Sequence, residues 1–178
     1  MCKSSGTTLM ELLTSVAIVA IVATLAAPGL RTLQLDGRRT AVVNGFLHGL
    51  FLARSEAIKR AQIVTVCPSS DGTRCDRGAR DWSVGWIVFV NRDRDDPPER
   101  DPAEELIASS GAWPGGSITS NRLAYSFRPV TQAVVNGTIV FCDGRGSAHA
   151  RAIIISHTGR PRVAQRDSAG KALRCPSG

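Results

Sequence analysis

An apolar run close to the start constrains this chain more than any other feature. From Thr7 to Ala27 the sequence is broken by a single charge, Glu11, and by a few hydroxyls such as Thr14, Ser15 and Thr24. A bilayer needs about 20 such residues to be crossed by a helix, so the run reads as a membrane anchor. A charged side chain near the centre of a membrane helix is unfavourable by roughly 2.5–3.5 kcal/mol on insertion scales, so Glu11 calls for a compensating partner. The stretch is unlike an ordinary secretory signal: residues 1–6 hold one base, Lys3, and no small-residue cleavage site closes the run.

With Gly6 before the run, Glu11 five residues beyond it and Pro28 near its end, the pattern resembles the class III leader of type IV pilins and type II secretion pseudopilins. The resemblance implies that a prepilin peptidase cuts after Gly6. Thr7 then becomes the N-terminal, N-methylated residue, and Glu11 the fifth of the mature chain. Thr7 stands where phenylalanine or methionine is usual. Physically, cleavage frees an α-amino group whose ordinary pKa, roughly 7.7–8.0, leaves it positive near neutral pH. A neighbouring subunit's Glu11 can pair with that amine, and buried charges are tolerated when paired. Glu11 is therefore expected to direct assembly with other major and minor pilins.

The chain has 178 residues, and loss of a six-residue leader leaves 172, room for one membrane helix and one modest globular head. The expected organisation is a leader at 1–6, a transmembrane and assembly helix at 7–30, an amphipathic helix at 31–61 and a β-rich head at 62–178. Cys2 would leave with the leader, so five cysteines become four: Cys67, Cys75, Cys142 and Cys175. Four cysteines allow three connectivities. The pairing favoured is Cys67 with Cys75 and Cys142 with Cys175, on proximity in sequence for the first pair. Disulfides suit an oxidising compartment. Neither pair has C-x-x-C spacing, and the three histidines, His48, His149 and His157, are scattered, so no metal and no cofactor is expected.

After the span, Val42, Val43, Phe46, Leu47, Leu50, Phe51, Ala57, Ile58 and Ala61 recur at helical spacing, with Arg38, Arg39, Arg54, Glu56, Lys59 and Arg60 largely between them. This predicts that one helix runs on to about Arg60, roughly 80 Å at 1.5 Å per residue, with an apolar stripe against the head. Pro28 and Gly29 are expected to kink or loosen it. Beyond Gln62 short branched and aromatic runs alternate with turn formers, predicting strands near IVTVC, WSVGWIVFV, ELIAS, LAYSF, GTIVFC, RAIIIS and RPRVA. Asp71-Gly72, Gly115-Gly116, Asn136-Gly137 and Asp143-Gly144 are the turn signals between them. The fold class is α+β, a long N-terminal helix on a mostly antiparallel sheet.

One segment, residues 91–105, looks unpatterned. Asn91, Asp93 and Asp95 alternate like the first ligands of an EF-hand loop. The match then fails, because Asp96 stands where glycine is required and Pro102 where the bidentate glutamate belongs. Arg92, Arg94 and Arg100 compete for the same carboxylates, so a solvated connection is expected.

Charge is concentrated at the other end. Removing Lys3 from 22 basic residues leaves 21 against 15 acids, a net of +6. Between Cys142 and Cys175 lie Arg145, Arg151, Arg160, Arg162, Arg166, Lys171 and Arg174 against Asp143 and Asp167, a net of +5. A localised basic face implies an anionic partner. The segment from Phe141 to Gln165 resembles the end of the GspH/FimT family of minor pilins and pseudopilins, with FimT-like and FimU-like members, in which a cysteine-containing strand, an apolar strand and a glycine-arginine turn follow one another. Gly159-Arg160-Pro161-Arg162 is similar to the G-R-x-R motif associated with DNA binding in that family.

Arg160 and Arg162 alternate across Pro161, so an extended backbone sends both guanidinium groups to one side, where their planar forks suit phosphate oxygens. Arg166 and Lys171 are the further candidate contacts. If all four neutralise phosphates, affinity for double-stranded DNA falls with salt at a logarithmic slope of roughly −3 to −4, without sequence preference. Ser156, His157 and Asp143 suggest a catalytic triad only superficially: neighbours in a strand point to opposite faces, and there is no G-x-S-x-G elbow. The reading is a non-enzymatic minor pilin that primes or tips a type IV pilus, with DNA as a candidate partner in natural transformation and a solubilising tail or a docking face for another minor pilin as the other uses of the basic segment. The alternative is a type II secretion pseudopilin that acts in protein export without DNA. Either sits in the inner membrane of a Gram-negative bacterium with its head in the periplasm, the first then reaching the cell surface.

Overall fold

The computed structural model describes Gly6, residues 8–129 and residues 136–176. It divides into two compact units, Met1–Arg38 and Arg39–Gly178. The leader residues before Gly6, and Thr7 itself, lie outside the described residues. Helix α1 spans Leu9–Arg60 with Pro28 inside it. Thr8 caps its start: the Thr8 hydroxyl accepts the Glu11 backbone N–H at 3.3 Å, which satisfies one of the unpaired amides of a first turn. Helical geometry persists through Pro28 and Gly29, where a loosening was expected, and the Thr32 hydroxyl donates to the Pro28 carbonyl oxygen at 3.2 Å.

Within the first unit, Leu13, Val16, Ile18, Val19 and Ile21 are all more than half exposed. The 18-residue window of highest mean hydropathy, 2.2, buries none of its residues. Such a segment is long and apolar enough to cross a bilayer.

The second unit begins with the rest of α1, whose Val43, Phe46, Leu50, Ala53 and Ala57 are buried at three- and four-residue intervals. The stripe is narrower than the sequence predicts, since Phe51 and Ile58 remain exposed. Gly49 instead belongs to the buried face: a Cβ there would fall 2.5 Å from the indole of Trp86, so only glycine lets that ring lie on the helix. The helix ends in a Schellman pattern, Gln62 N–H to the Ala57 carbonyl at 3.3 Å and Ala61 N–H to Ile58 at 3.4 Å, with Ala61 at φ 52° where glycine is commoner.

Eight strands follow: β1 Ile63–Pro68, β2 Trp86–Asn91, β3 Leu106–Ser110, β4 Gly116–Ser120, β5 Tyr125–Phe127, β6 Gly137–Asp143, β7 Arg151–Ile155 and β8 Pro161–Ala164. They form two four-stranded sheets, ordered β3-β2-β1-β5 and β4-β6-β7-β8, with every pairing antiparallel. Strand β4 was not anticipated: its sequence, GSITS, has one large apolar residue, and its opening Gly116 reads as turn. Gly116 is required there because a Cβ would meet the Cys142 carbonyl oxygen at 2.0 Å. Conversely, residues 82–85 are not strand, although Trp82 is fully buried. Phe46 lies at the centre of the aromatic core, with ring centroids 5.5 Å from Trp82, 5.3 Å from Trp86 and 5.6 Å from Phe141. Pairs of this kind contribute about 0.5–1.5 kcal/mol each beyond area burial.

Disulfides join Cys67 to Cys75 and Cys142 to Cys175. The segment 91–105 is the largely exposed connection expected, from the end of β2 to β3, and it is braced by its own hydrogen bonds. Buried Glu104 accepts the amides of Arg92 at 2.5 Å and Asp101 at 3.1 Å, and buried Asn91 accepts the Arg94 amide at 2.6 Å while donating to Asp95 at 2.8 Å. These carboxylates are thus occupied by the chain itself, and among the described residues no group of three or more His, Cys, Asp or Glu side chains is placed to hold a metal ion.

Candidate functional site

In the first unit Glu11 is exposed, three residues after the capping Thr8. Its carbonyl accepts the hydroxyls of Thr14 at 3.0 Å and Ser15 at 2.7 Å, which hides these polar groups along an apolar span. A carboxylate in the first turn also complements the helix dipole, an effect of about 0.3–1 kcal/mol and well short of the insertion cost. The cap was legible as Thr-x-x-Glu before an apolar run and was missed.

In the second unit the basic quarter resolves into two classes of side chain. Arg145 is turned inward, its Nη2 donating to Asp143 Oδ2 at 2.6 Å. Arg39, on the helix and 4% exposed, shares that oxygen at 3.5 Å and donates to the His149 carbonyl at 2.6 Å. The Arg145 guanidinium holds the Asp143 carboxyl below the usual carboxylate range. Arg151 donates to the Ala150 carbonyl at 2.9 Å.

Arg160 and Arg162 differ. They belong to the β7–β8 hairpin, whose strands pair Ile155 with Pro161 and Ile154 with Arg162. Ser156 N–H donates to the Arg160 carbonyl at 3.2 Å, enclosing His157, Thr158 and Gly159 as a three-residue loop. Gly159 closes it at φ 70°, the left-handed position such loops reserve for glycine. The glycine of the GRPR motif is thereby explained by the turn. Pro161 is buried opposite Ile155 on the core side, so its neighbours Arg160 and Arg162 are carried to the outer face, and both are exposed. Neither guanidinium has a hydrogen bond or ion pair among the described residues.

Arg166 and Lys171 stand in a small C-terminal hairpin. The Arg166–Ala172 bridge and the Asp167 side chain, which accepts the amides of Ala169 at 2.9 Å and Lys171 at 2.8 Å, shape this turn. Arg166 donates to the Gly170 carbonyl at 3.1 Å yet stays exposed, and Lys171 is exposed. The tail that carries them is tied down by Leu173, 5% exposed, and by the Cys142–Cys175 bridge. A shallow groove lined by Arg162, Arg166 and Asp167 separates this turn from β8.

The triad residues do not assemble. Ser156 Oγ lies 2.8 Å from the Thr158 hydroxyl, His157 Nε2 lies 3.4 Å from the Asn136 amide, and Asp143 is held by arginines at the far end of β6. The Asn136 link was not foreseen. Asn136 accepts Arg122 Nε at its backbone oxygen (2.9 Å) and Arg122 Nη2 at its side-chain oxygen (3.2 Å), so a further arginine adjoins the hairpin.

The family model described as Type II transport protein GspH matches residues 42–159, which takes in the end of α1, strands β1 to β7 and the hairpin turn up to its glycine. This chain belongs to the GspH family. Two crystal structures of the Pseudomonas aeruginosa type IV minor pilin FimU share the fold of this GspH-family chain. The form in space group P65 aligns with TM-score 0.56 and 16% identity over 76% of this chain and 98% of that one. The form in P21 gives 0.53 and 17% over 82% and 96%. No curated protein matches the sequence. The chain is thus a pilin-like α+β protein, a minor pilin or pseudopilin, and the family is one of structural subunits rather than enzymes.

Proposed function

We propose that this GspH-family protein is a minor pilin that primes or tips a type IV pilus and binds double-stranded DNA through Arg160 and Arg162, with Arg166 and Lys171 extending the contact. One observation carries the reading: two exposed guanidinium groups, without partners among the described residues, are held on one side of a rigid hairpin by a left-handed glycine and a buried proline. Guanidinium forks match phosphate oxygens, and phosphate contacts read no base sequence. Residues 1–6 act as a leader cut by prepilin peptidase after Gly6, and residues 7–30 as the inner-membrane and assembly helix. Glu11 pairs there with the Thr7 amine of a neighbouring pilin. Residues 31–61 form the helical edge of the head that residues 62–178 complete.

Arg160→Gln with Arg162→Gln is expected to abolish DNA binding and natural transformation and to leave piliation normal. Piliation lost with DNA binding retained overturns the assignment. The family description, a type II transport protein, favours a second reading, a secretion pseudopilin acting in protein export. Under it, deleting the gene blocks export of folded enzymes and leaves DNA uptake intact.

A further inference from the structure

The second unit carries another arginine cluster that the hairpin reading does not use. Arg92, Arg94 and Arg128 line one groove together with Asn91, Ile63 and the two residues that follow α1, and no carboxylate among the described residues lines it. An adjoining groove shares Arg94 and Arg128 and adds Arg80 and Arg122, with Asp95 and Asp96 as its only acids. Those acids are partly engaged, since Asp95 accepts the Asn91 amide at 2.8 Å and the Glu99 N–H at 2.6 Å. The guanidinium groups of Arg92, Arg94 and Arg128 have no hydrogen bond or ion pair among the described residues.

Two details indicate that this cluster is built rather than incidental. Arg94 sits at φ 65°, a left-handed conformation that a side-chain-bearing residue adopts at some cost, and buried Asn91 holds it there by accepting its amide at 2.6 Å. The groove also connects to the motif hairpin through hydrogen bonds. Arg122 is fixed on Asn136 at 2.9 Å, and the Asn136 amide lies 3.4 Å from His157, in the turn that ends at Arg160. Polar contacts therefore run from Arg122, which lines the same groove as Arg94 and Arg128, to His157 in the turn that precedes Arg160.

We propose that the Arg92–Arg94–Arg128 groove is a second phosphate site, and that with Arg160 and Arg162 it forms one continuous track for the sugar-phosphate backbone of duplex DNA. The proposal rests on the DNA-binding reading of the hairpin and adds a site outside it. A cluster of positive charge whose guanidinium groups make no ion pair among the described residues raises the concentration of a polyanion at its mouth, and each phosphate neutralised releases condensed counterions.

The test is fluorescence anisotropy with the detergent-solubilised full chain and a duplex of mixed sequence, titrated from 50 mM to 200 mM salt. Three variants are compared with wild type: Arg94→Gln with Arg128→Gln, the charge-preserving Arg94→Lys with Arg128→Lys, and Arg160→Gln with Arg162→Gln. The glutamine pair in the groove is expected to make the logarithmic salt slope shallower by about 2, so that the affinity lost across this salt range shrinks about tenfold. The lysine pair is expected to keep the wild-type slope, and the melting temperature to be unchanged in both. A slope unaltered by Arg94→Gln with Arg128→Gln, with binding lost in Arg160→Gln with Arg162→Gln, overturns the track and leaves the hairpin reading standing. A lower melting temperature with an unaltered slope assigns the arginines to the fold. A wild-type chain that binds no duplex at 50 mM salt overturns both.

Discussion

Two arginine clusters in the second unit show how little the residue type says about its role. Around Asp143, Arg39 is almost fully buried and Arg145 largely so, and both guanidinium groups are consumed by one carboxylate and a carbonyl of the same chain. At the β7–β8 hairpin Arg160 and Arg162 are exposed, and no described acid answers them. All but Arg39 lie between Cys142 and Cys175, where net charge counts them alike. Burial and partners separate them: the first pair joins the helix to the end of β6, and the second has no partner among the described residues.

The largest effect is expected where the charges are buried. Asp143→Ala leaves Arg39 without its carboxylate, and breaking a buried ion pair from one side typically costs about 3–5 kcal/mol. Because Arg39 keeps the His149 carbonyl, a loss of about 3 kcal/mol is expected, read as a fall in melting temperature of roughly 6–12 °C for the detergent-solubilised chain. A fall of under 2 °C would erase the contrast between the clusters, by showing that the inner arginines contribute as little to the fold as the outer ones.

Sequence reasoning saw the sum of these clusters but not the partition. The apolar start of α1, its run to Arg60 and most strands were legible because periodicity survives without tertiary knowledge. The disulfide partners, near in sequence for one pair and left by elimination for the other, are those the structure closes. What failed depended on contacts distant in sequence. Strand β4 is strand because Ser117 and Ile118 pair with Cys142 and Phe141, not because GSITS favours it. Gly49 is buried because Trp86 lies on it, and Phe51 is exposed because no described residue covers that side of the helix. Arg39 lies 104 residues from Asp143, so no local pattern distinguishes it from Arg38. The Gly159 turn was the opposite case: its role is local, and a glycine four residues past a branched strand is a hairpin signal in its own right.

A middle-sized effect is expected at that glycine, which positions the outer cluster. Gly159→Ala places a Cβ at φ 70°, where left-handed backbone costs about 1–2 kcal/mol for an L side chain. The melting temperature should fall by roughly 2–8 °C. DNA affinity should fall as well, because relief of the strain re-aims Arg160. Gly159→Asn should recover part of both, since asparagine tolerates this region better. If alanine lowers stability and leaves affinity intact, the guanidinium groups bind without needing the hairpin to hold them.

The smallest effect on stability is expected from removing the outer arginines themselves, and it sharpens the comparison most. Arg160→Gln with Arg162→Gln deletes two charges that no described group pairs with, so unfolding free energy should change by no more than about 0.5 kcal/mol, as at ordinary surface positions. A second role must be separated from this one. Strand β8 ends its sheet, and charge on an edge strand deters pairing with another chain. The double variant should therefore be weighed by sedimentation as well as melted. An unchanged melting temperature and an unchanged molecular mass, together with lost DNA binding, place both residues on the partner side of the contrast. Aggregation with DNA binding intact would make them guards of an exposed edge, and a melting temperature lowered by more than about 4 °C would move them into the class of Arg39 and Arg145.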